Sequence, residues 1–279
     1  MYYTCMFMDD FKFKFDFPNG GPLVIPTYNN FTYLNNFMSQ NLVKQFDRVI
    51  ILDNGSKYPR FLNYLSELNA MQNVQVFFLQ RNYGPRFCLM SEFYHYLPRV
   101  FFLSDCDLKF SNLDLFDLNS FFDTLSKKFS VGKIALDLFN SDVDPNLVIK
   151  HNGQFTSIGE WYRNVRGHEI YQDSKFTVSK GYSDTTFCRI DKNFFDPNSH
   201  LDSLIIRAKI GTPLVQHLPW FNTVLIPDEE SDFYKNNLHS NWYGDNSISK
   251  DEILINKDEF HSLIEENFQL RQQLWKYLN

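Results

Sequence analysis

The first hundred residues repeat one pattern, in which a short apolar run stops abruptly at a polar cluster. Pro22-Leu23-Val24-Ile25 stops at Pro26-Thr27-Tyr28-Asn29-Asn30, and Val49-Ile50-Ile51-Leu52 stops at Asp53-Asn54-Gly55-Ser56. The run over 74–79 stops at Arg81-Asn82-Tyr83-Gly84-Pro85, and Val100-Phe101-Phe102-Leu103 stops at Ser104-Asp105-Cys106-Asp107. Continuous apolar runs without alternation suit parallel strands covered on both faces. Segments of helical length separate them. One covers 31–46, with Phe31, Leu34, Phe37, Met38 and Leu42 near a period of 3.6, and another covers 59–71, with Phe61, Leu62, Leu65 and Leu68. Strand and helix alternating in this way predict an α/β fold with a mostly parallel, doubly wound sheet flanked by helices. In such sheets ligands bind beyond the carboxyl ends of the strands, so the four polar clusters are expected to share one crevice.

The second half is less regular. The spacing predicts a helix over 119–129, a strand over 131–139, and further strands over 186–190 and 214–217. Residues 140–178 read as polar and loop-rich around Trp161-Tyr162, and 228–251 as polar and irregular. The tail over 257–278 reads as an amphipathic helix, with Phe260, Leu263, Ile264, Phe268, Leu274, Trp275 and Leu278 on one side.

Composition narrows the function classes. A formal charge of -6 argues against a nucleic-acid surface, which needs a basic field. The four cysteines, Cys5, Cys88, Cys106 and Cys188, form no CxxC pair, so neither a zinc site nor a disulfide framework is expected and a reducing, cytoplasmic setting fits. No apolar run approaches the ~20 residues that span a bilayer. The start lacks the basic flank of a signal peptide, and peripheral membrane contact stays open.

The sharpest chemical signal is Asp105-Cys106-Asp107. Two carboxylates flanking one residue past a buried strand suit a hard divalent cation, Mn2+ or Mg2+, which shares its shell with substrate phosphates. The alternative is a solvated turn of the same composition. The three sibling clusters favour the site.

In order, Ile25-Pro26-Thr27-Tyr28-Asn29, Leu52-Asp53-Asn54-Gly55-Ser56, Asn82-Tyr83-Gly84-Pro85 and Ser104-Asp105-Cys106-Asp107 resemble the motif series of family 2-like glycosyltransferases with the GT-A fold. The match is good over 22–110 and thinner to about residue 225. The resemblance implies a Rossmann-like GT-A catalytic domain over 20–226 and an extension over 227–279 that ends in the amphipathic helix. It implies a metal-dependent transferase that moves a sugar from a nucleoside-diphosphate donor, with UDP the expected nucleotide, to a hydroxyl of a glycan or lipid-linked acceptor.

By the same resemblance Pro26, Thr27 and Tyr28 line the nucleotide pocket and Asp53 bonds the base, although an Asx-turn before Gly55 is an equal reading of Asp53. Asn82 and Gly84 let the backbone approach the nucleotide, or form an ordinary Gly-Pro turn. Asp105, the first acid of the DXD motif, binds ribose or metal, and Asp107 is the principal metal ligand. Arg81 and Arg86 are candidates for the diphosphate, since guanidinium meets phosphate oxygens bidentately. His217, before Pro219-Trp220, completes the metal shell or is a structural histidine.

An inverting transfer needs a general base. Asp184 is the first candidate, with Asp137 and Glu160 in reserve. The family's acidic pair is not evident here, which leaves inverting against retaining open. Trp161 and Tyr162 are better read as packing than as a sugar platform. A dinucleotide oxidoreductase needs G-x-G-x-x-G after the first strand, and a sugar nucleotidyltransferase a Gly-rich basic loop there; neither is present. A non-catalytic nucleotide-sugar-binding protein is the remaining alternative, and the retention of both aspartates speaks for an enzyme. The tail helix is expected to pack on the domain or form a homodimer rather than dock on a membrane, because its polar face mixes Glu, Gln and Arg.

Overall fold

A computed structural model describes residue 13 and residues 21–84, 86–110, 113, 115–139, 148–151, 154–157, 167–172, 176–183, 185–197, 202–208, 215–218 and 224–236. The four apolar runs form β1 (Leu23–Thr27), β2 (Val49–Asp53), β3 (Val74–Phe78) and β4 (Val100–Leu103). Each is buried almost end to end, because both faces are covered. Leu23, Ile25, Val49, Ile51, Val74 and Val76 face a core shared with the helices, and Val24, Ile50, Leu52, Phe77, Phe101 and Leu103 face a second core. That two-sided burial is why these strands read as unbroken apolar runs.

The first core is roofed by α1 (Phe31–Met38), α2 (Asn41–Lys44) and α3 (Pro59–Asn69). The single helix predicted over 31–46 is broken at Ser39-Gln40. Gln40 leaves the helix to donate from Nε2 to Leu108 O at 2.7 Å and to accept from Phe110 N at 2.8 Å, closing the edge of a strand from its side chain. A short helix α4 (Ser91–Tyr94) lies on the other face, so the β3–β4 crossover carries no long helix.

The chain continues through β5 (Leu108–Phe110), α5 (Leu115–Phe129), β6 (Lys133–Leu136), β7 (Leu138–Phe139), β8 (Val148–His151), β9 (Gln154–Ser157), β10 (His168–Gln172), β11 (Phe176–Tyr182), β12 (Cys188–Asp191), β13 (Asp202–Ala208), β14 (Val215–His217) and α6 (Asp228–Asn236). Nine strands form the main sheet in the order β10-β11-β13-β6-β12-β4-β1-β2-β3. β1 pairs in parallel with both β2 and β4, β2 with β3, and β6 with β13, while β12 and β11 run against their neighbours. The mixed, mostly parallel sheet flanked by helices is therefore as expected.

Three further expectations change. The strand predicted over 131–139 is cut at Asp137 into β6 and β7, which belong to different sheets, β7 joining β5-β14-β7. The region 140–178, read as loop, contains the hairpin β8–β9 and the pair β10–β11; β10 sets only Ile170 and Tyr171 among polar residues and is largely exposed, so its apolar signal is weak. Residues 228–236, read as irregular, form α6, whose acidic first turn favours the helix dipole. The tail over 257–278, Trp161, Tyr162, Glu160 and Asp184 lie outside the described residues.

Candidate functional site

β1 has β2 on one side and β4 on the other, so the chain order reverses between β1 and β4. A crevice opens at such a switch point, beyond the carboxyl ends. Three polar tips meet there. Backbone bonds continue the sheet past its formal ends: Asn54 N donates to Thr27 O, Leu79 N to Asp53 O, and Ser104 N to Val24 O. The Thr27 hydroxyl lies 3.7 Å from Cys106 Sγ, and Asn30 Nδ2 lies 4.0 Å from the same sulfur. Cys106 is thus the buried face of the triplet, tied to the β1 tip. Burial, with the Asp107 charge behind it, pushes its thiol pKa well above the ordinary thiol range, which makes it a packing group and no nucleophile.

The loops are held by two asparagines that sequence reasoning passed over. Asn29, in the left-handed region at φ 53°, is buried. Its N–H donates to Ser56 Oγ at 2.8 Å, and its Oδ1 accepts from Lys57 N and Tyr58 N at 2.8 and 3.0 Å. Asn54 joins the next pair. Its Nδ2 donates to Asn82 Oδ1 and Gly84 O, both at 2.9 Å, and its Oδ1 accepts from Tyr83 N at 2.8 Å. Both lie inside motifs quoted above, but an Asn in a polar loop announces no partner until the loops are adjacent. Gly55 permits the approach: at φ 77°, a side chain there would stand 2.6–2.8 Å from the Arg81 backbone.

Asp53 sits at 2% exposure. Its Oδ1 accepts from Ser56 N at 3.2 Å, so the Asx-turn is present. Burial raises its pKa to about 7, against the bonds from Ser56 that favour the charged form. Pro26 pairs with Leu52 inside the sheet, Thr27 is buried, and Tyr28 is half-buried in the following turn. Asn82 Oδ1 also accepts from Gly84 N at 2.7 Å, which shapes that turn around a glycine at φ 92°. Arg81 and Arg86 are exposed, and Arg81 rides over the Tyr83 ring at 4.9 Å.

The acidic triplet is met from the far end of the sequence. β14 pairs antiparallel with β5, His217 opposite Leu108, and Leu218 N donates to Asp107 O at 2.9 Å. His217 Nε2 thereby comes to 3.3 Å from Asp107 Oδ2. Burial lowers the imidazole pKa, but the charge and hydrogen bond of Asp107 and the charge of Asp105 outweigh it, and the net shift is upward. Asp105 is placed by its N–H, which donates to Thr185 O at 3.1 Å.

Asp137 follows β6, and Leu103 and Ala135 both pair with Cys188, so Asp105 and Asp137 stand at one height, two strands or roughly 10 Å apart. Asp137 is buried, with its N–H donating to Ile206 O.

Among the described residues no three His, Cys, Asp or Glu side chains converge as a ready-made metal site. A shared site fits better. Asp107 Oδ1 is buried without a hydrogen-bond partner among the described residues, and an oxygen and an imidazole nitrogen already face each other across 3.3 Å. A divalent cation that takes its other ligands from a diphosphate and water requires no more than that from the protein.

No family model matches the sequence, and no curated protein matches it significantly. Solved structures do. A mannosyltransferase from Pyrobaculum calidifontis, in complex with GDP-Man and Mn2+, is 11% identical with a TM-score of 0.39, over 62% of this chain and 45% of that one. TarS from S. aureus with UDP-GlcNAc is 11% identical with a TM-score of 0.40, over 77% of this chain and 64% of that one. GalNAc-T7 with UDP, GalNAc and Mn2+ is 12% identical with a TM-score of 0.42, over 77% and 47%. The chain spans from under half to just under two thirds of their lengths. Likeness at this level assigns no activity, and the functional reading rests on the crevice.

Proposed function

We propose that the chain is a metal-dependent glycosyltransferase of the GT-A type, moving a sugar from a nucleoside-diphosphate sugar, UDP-linked by preference, to a hydroxyl of a glycan or lipid-linked acceptor. One observation carries the reading. The tips of β1, β2 and β4 lie side by side, and Asp107 of the third tip faces His217 at 3.3 Å. An acidic triplet at a sheet's switch point, with a buried carboxylate oxygen that no described residue bonds, suits a cation held jointly with phosphate.

In this reading Thr27, Tyr28, Asn82 and Gly84 shape the nucleoside end, and Asp53 accepts from a base N–H. Asp107 and His217 hold Mn2+ or Mg2+, with Asp105 on ribose or metal and Arg86 on the diphosphate. When bound, such a cation would neutralise charge on the departing diphosphate. Asp184 or Asp137 takes the acceptor proton, in an inverting displacement. The extension packs on the domain or supplies self-association, and the setting is cytoplasmic or peripheral to a membrane.

The test is hydrolysis of a panel of nucleotide sugars with and without Mn2+. A transferase cleaves its own donor slowly in a metal-stimulated reaction. Asp107→Asn is expected to lower the metal-stimulated rate at least ~100-fold, in line with loss of a principal electrostatic group, with its melting temperature near that of the parent. Undiminished turnover in that variant would remove the mechanism.

A further inference from the structure

The first helix lacks its own cap. Asn30 occupies the N-cap position of α1, where an asparagine ordinarily bonds the first free N–H groups, yet it makes no side-chain cap bond. Its Nδ2 instead lies 4.0 Å from Cys106 Sγ. One free donor, the Thr32 N–H, is met from 198 residues away. Glu230 of α6 accepts from Thr32 N at 2.8 Å through Oε1 and from the Thr32 hydroxyl at 2.6 Å through Oε2. Its exposure is 2%. A carboxylate buried that far is sustained by such donors and by the positive end of the helix dipole.

α6 also grips the second loop. The Phe233 ring lies 5.1 Å from that of Tyr58, a residue whose backbone N–H is held by Asn29 Oδ1. One helix therefore bears on both loops that Asn29 stitches together, on Thr32 just beyond the β1 tip and on Tyr58 just beyond the β2 tip.

We infer that Glu230 is a positioning residue for donor binding: by accepting from Thr32 at the start of α1 it fixes the 27–32 segment against the acidic triplet. Glu230 itself touches no reacting atom. The inference rests on the reading of the crevice as a nucleotide-sugar site.

The experiment uses the full chain and two readouts. Amide hydrogen exchange over 27–32 reports order in the loop, and calorimetric titration with UDP or GDP in the presence of Mn2+ reports binding, each well below the variant's melting temperature. Glu230→Ala is expected to speed exchange across 27–32 and to weaken nucleotide binding about tenfold, the scale of one lost charge-assisted bond. Glu230→Gln, which can accept from Thr32 N and donate to the Thr32 hydroxyl, is expected to restore both to within about threefold of the parent, a neutral bond being weaker than a charged one. Thr32→Val, a milder cut that keeps the backbone bond, is expected to fall between them. Folded Glu230→Ala with parental exchange and parental affinity overturns the inference and leaves Glu230 a structural cap. Faster exchange with unchanged affinity overturns it too, since loop order would then not reach the nucleotide. A parent that binds neither nucleotide sinks the reading of the site instead, while the exchange data still decide whether Glu230 orders the loop.

Discussion

Asp53 shows how one residue carries two roles in tension. Its carboxyl closes an Asx-turn with Ser56 and is buried at the end of β2, and burial lifts its pKa to about 7 from an ordinary 3.8. The folded state therefore binds more proton than the unfolded state between about pH 4 and 7, so this group's contribution to stability falls as pH rises through that window. Asp53→Asn removes the penalty and keeps the acceptor for Ser56 N. Its melting temperature is expected to exceed the parent's by a few degrees at pH 8 and to converge with it near pH 4, in thermal scans across that range. If a base N–H donates to this carboxylate, nucleotide affinity rises in the parent as pH passes 7, and the variant loses that slope. Residue identity alone exposed the acid but not its burial. Asn29 and Asn54 were legible only as loop formers, because the partners that give them work are 27 to 30 residues distant.

At the level of elements, the strands were legible where both faces are buried and poorly legible where one face is wet. β1 to β4 declare themselves as apolar runs, while β10 and β11, with exposed residues along them, do not. Helix ends were set by tertiary partners: Gln40 breaks the first helix to pair with β5, and Glu230 caps it. The approach of the β2 and β3 loops rests on Gly55, whose φ of 77° and contact with the Arg81 backbone leave no room for Cβ. Gly55→Ala is expected to cost about 1–3 kcal/mol, the scale of a strained backbone, read as a fall in urea midpoint with an unchanged m-value. A parental midpoint would mean the loops part without cost.

For the whole molecule, the question is what binds the small sheet carrying His217 to the main sheet carrying the aspartates. Phe187 is one answer. It is fully buried, 5.6 Å from Phe102 of β4, 5.0 Å from Phe110 of β5 and 6.5 Å from Phe46. Phe187→Ala is expected to cost about 3–5 kcal/mol in chemical denaturation, because a ring-sized void opens between layers that cannot collapse together. A loss under about 1 kcal/mol would show that the layers close over the gap. Local patterning specifies the four buried strands, their common direction and the polar nature of their tips, since apolar runs joined by crossovers of this length permit little else. It also put the two carboxylates just past a strand. Packing alone brings the distant partners in: it sets His217, 110 residues downstream and already a candidate for the metal shell, against Asp107, and Glu230, 198 residues beyond Thr32, against the start of α1. Those pairings depend on how sheets and helices stack, and local spacing carries no record of a contact made through space.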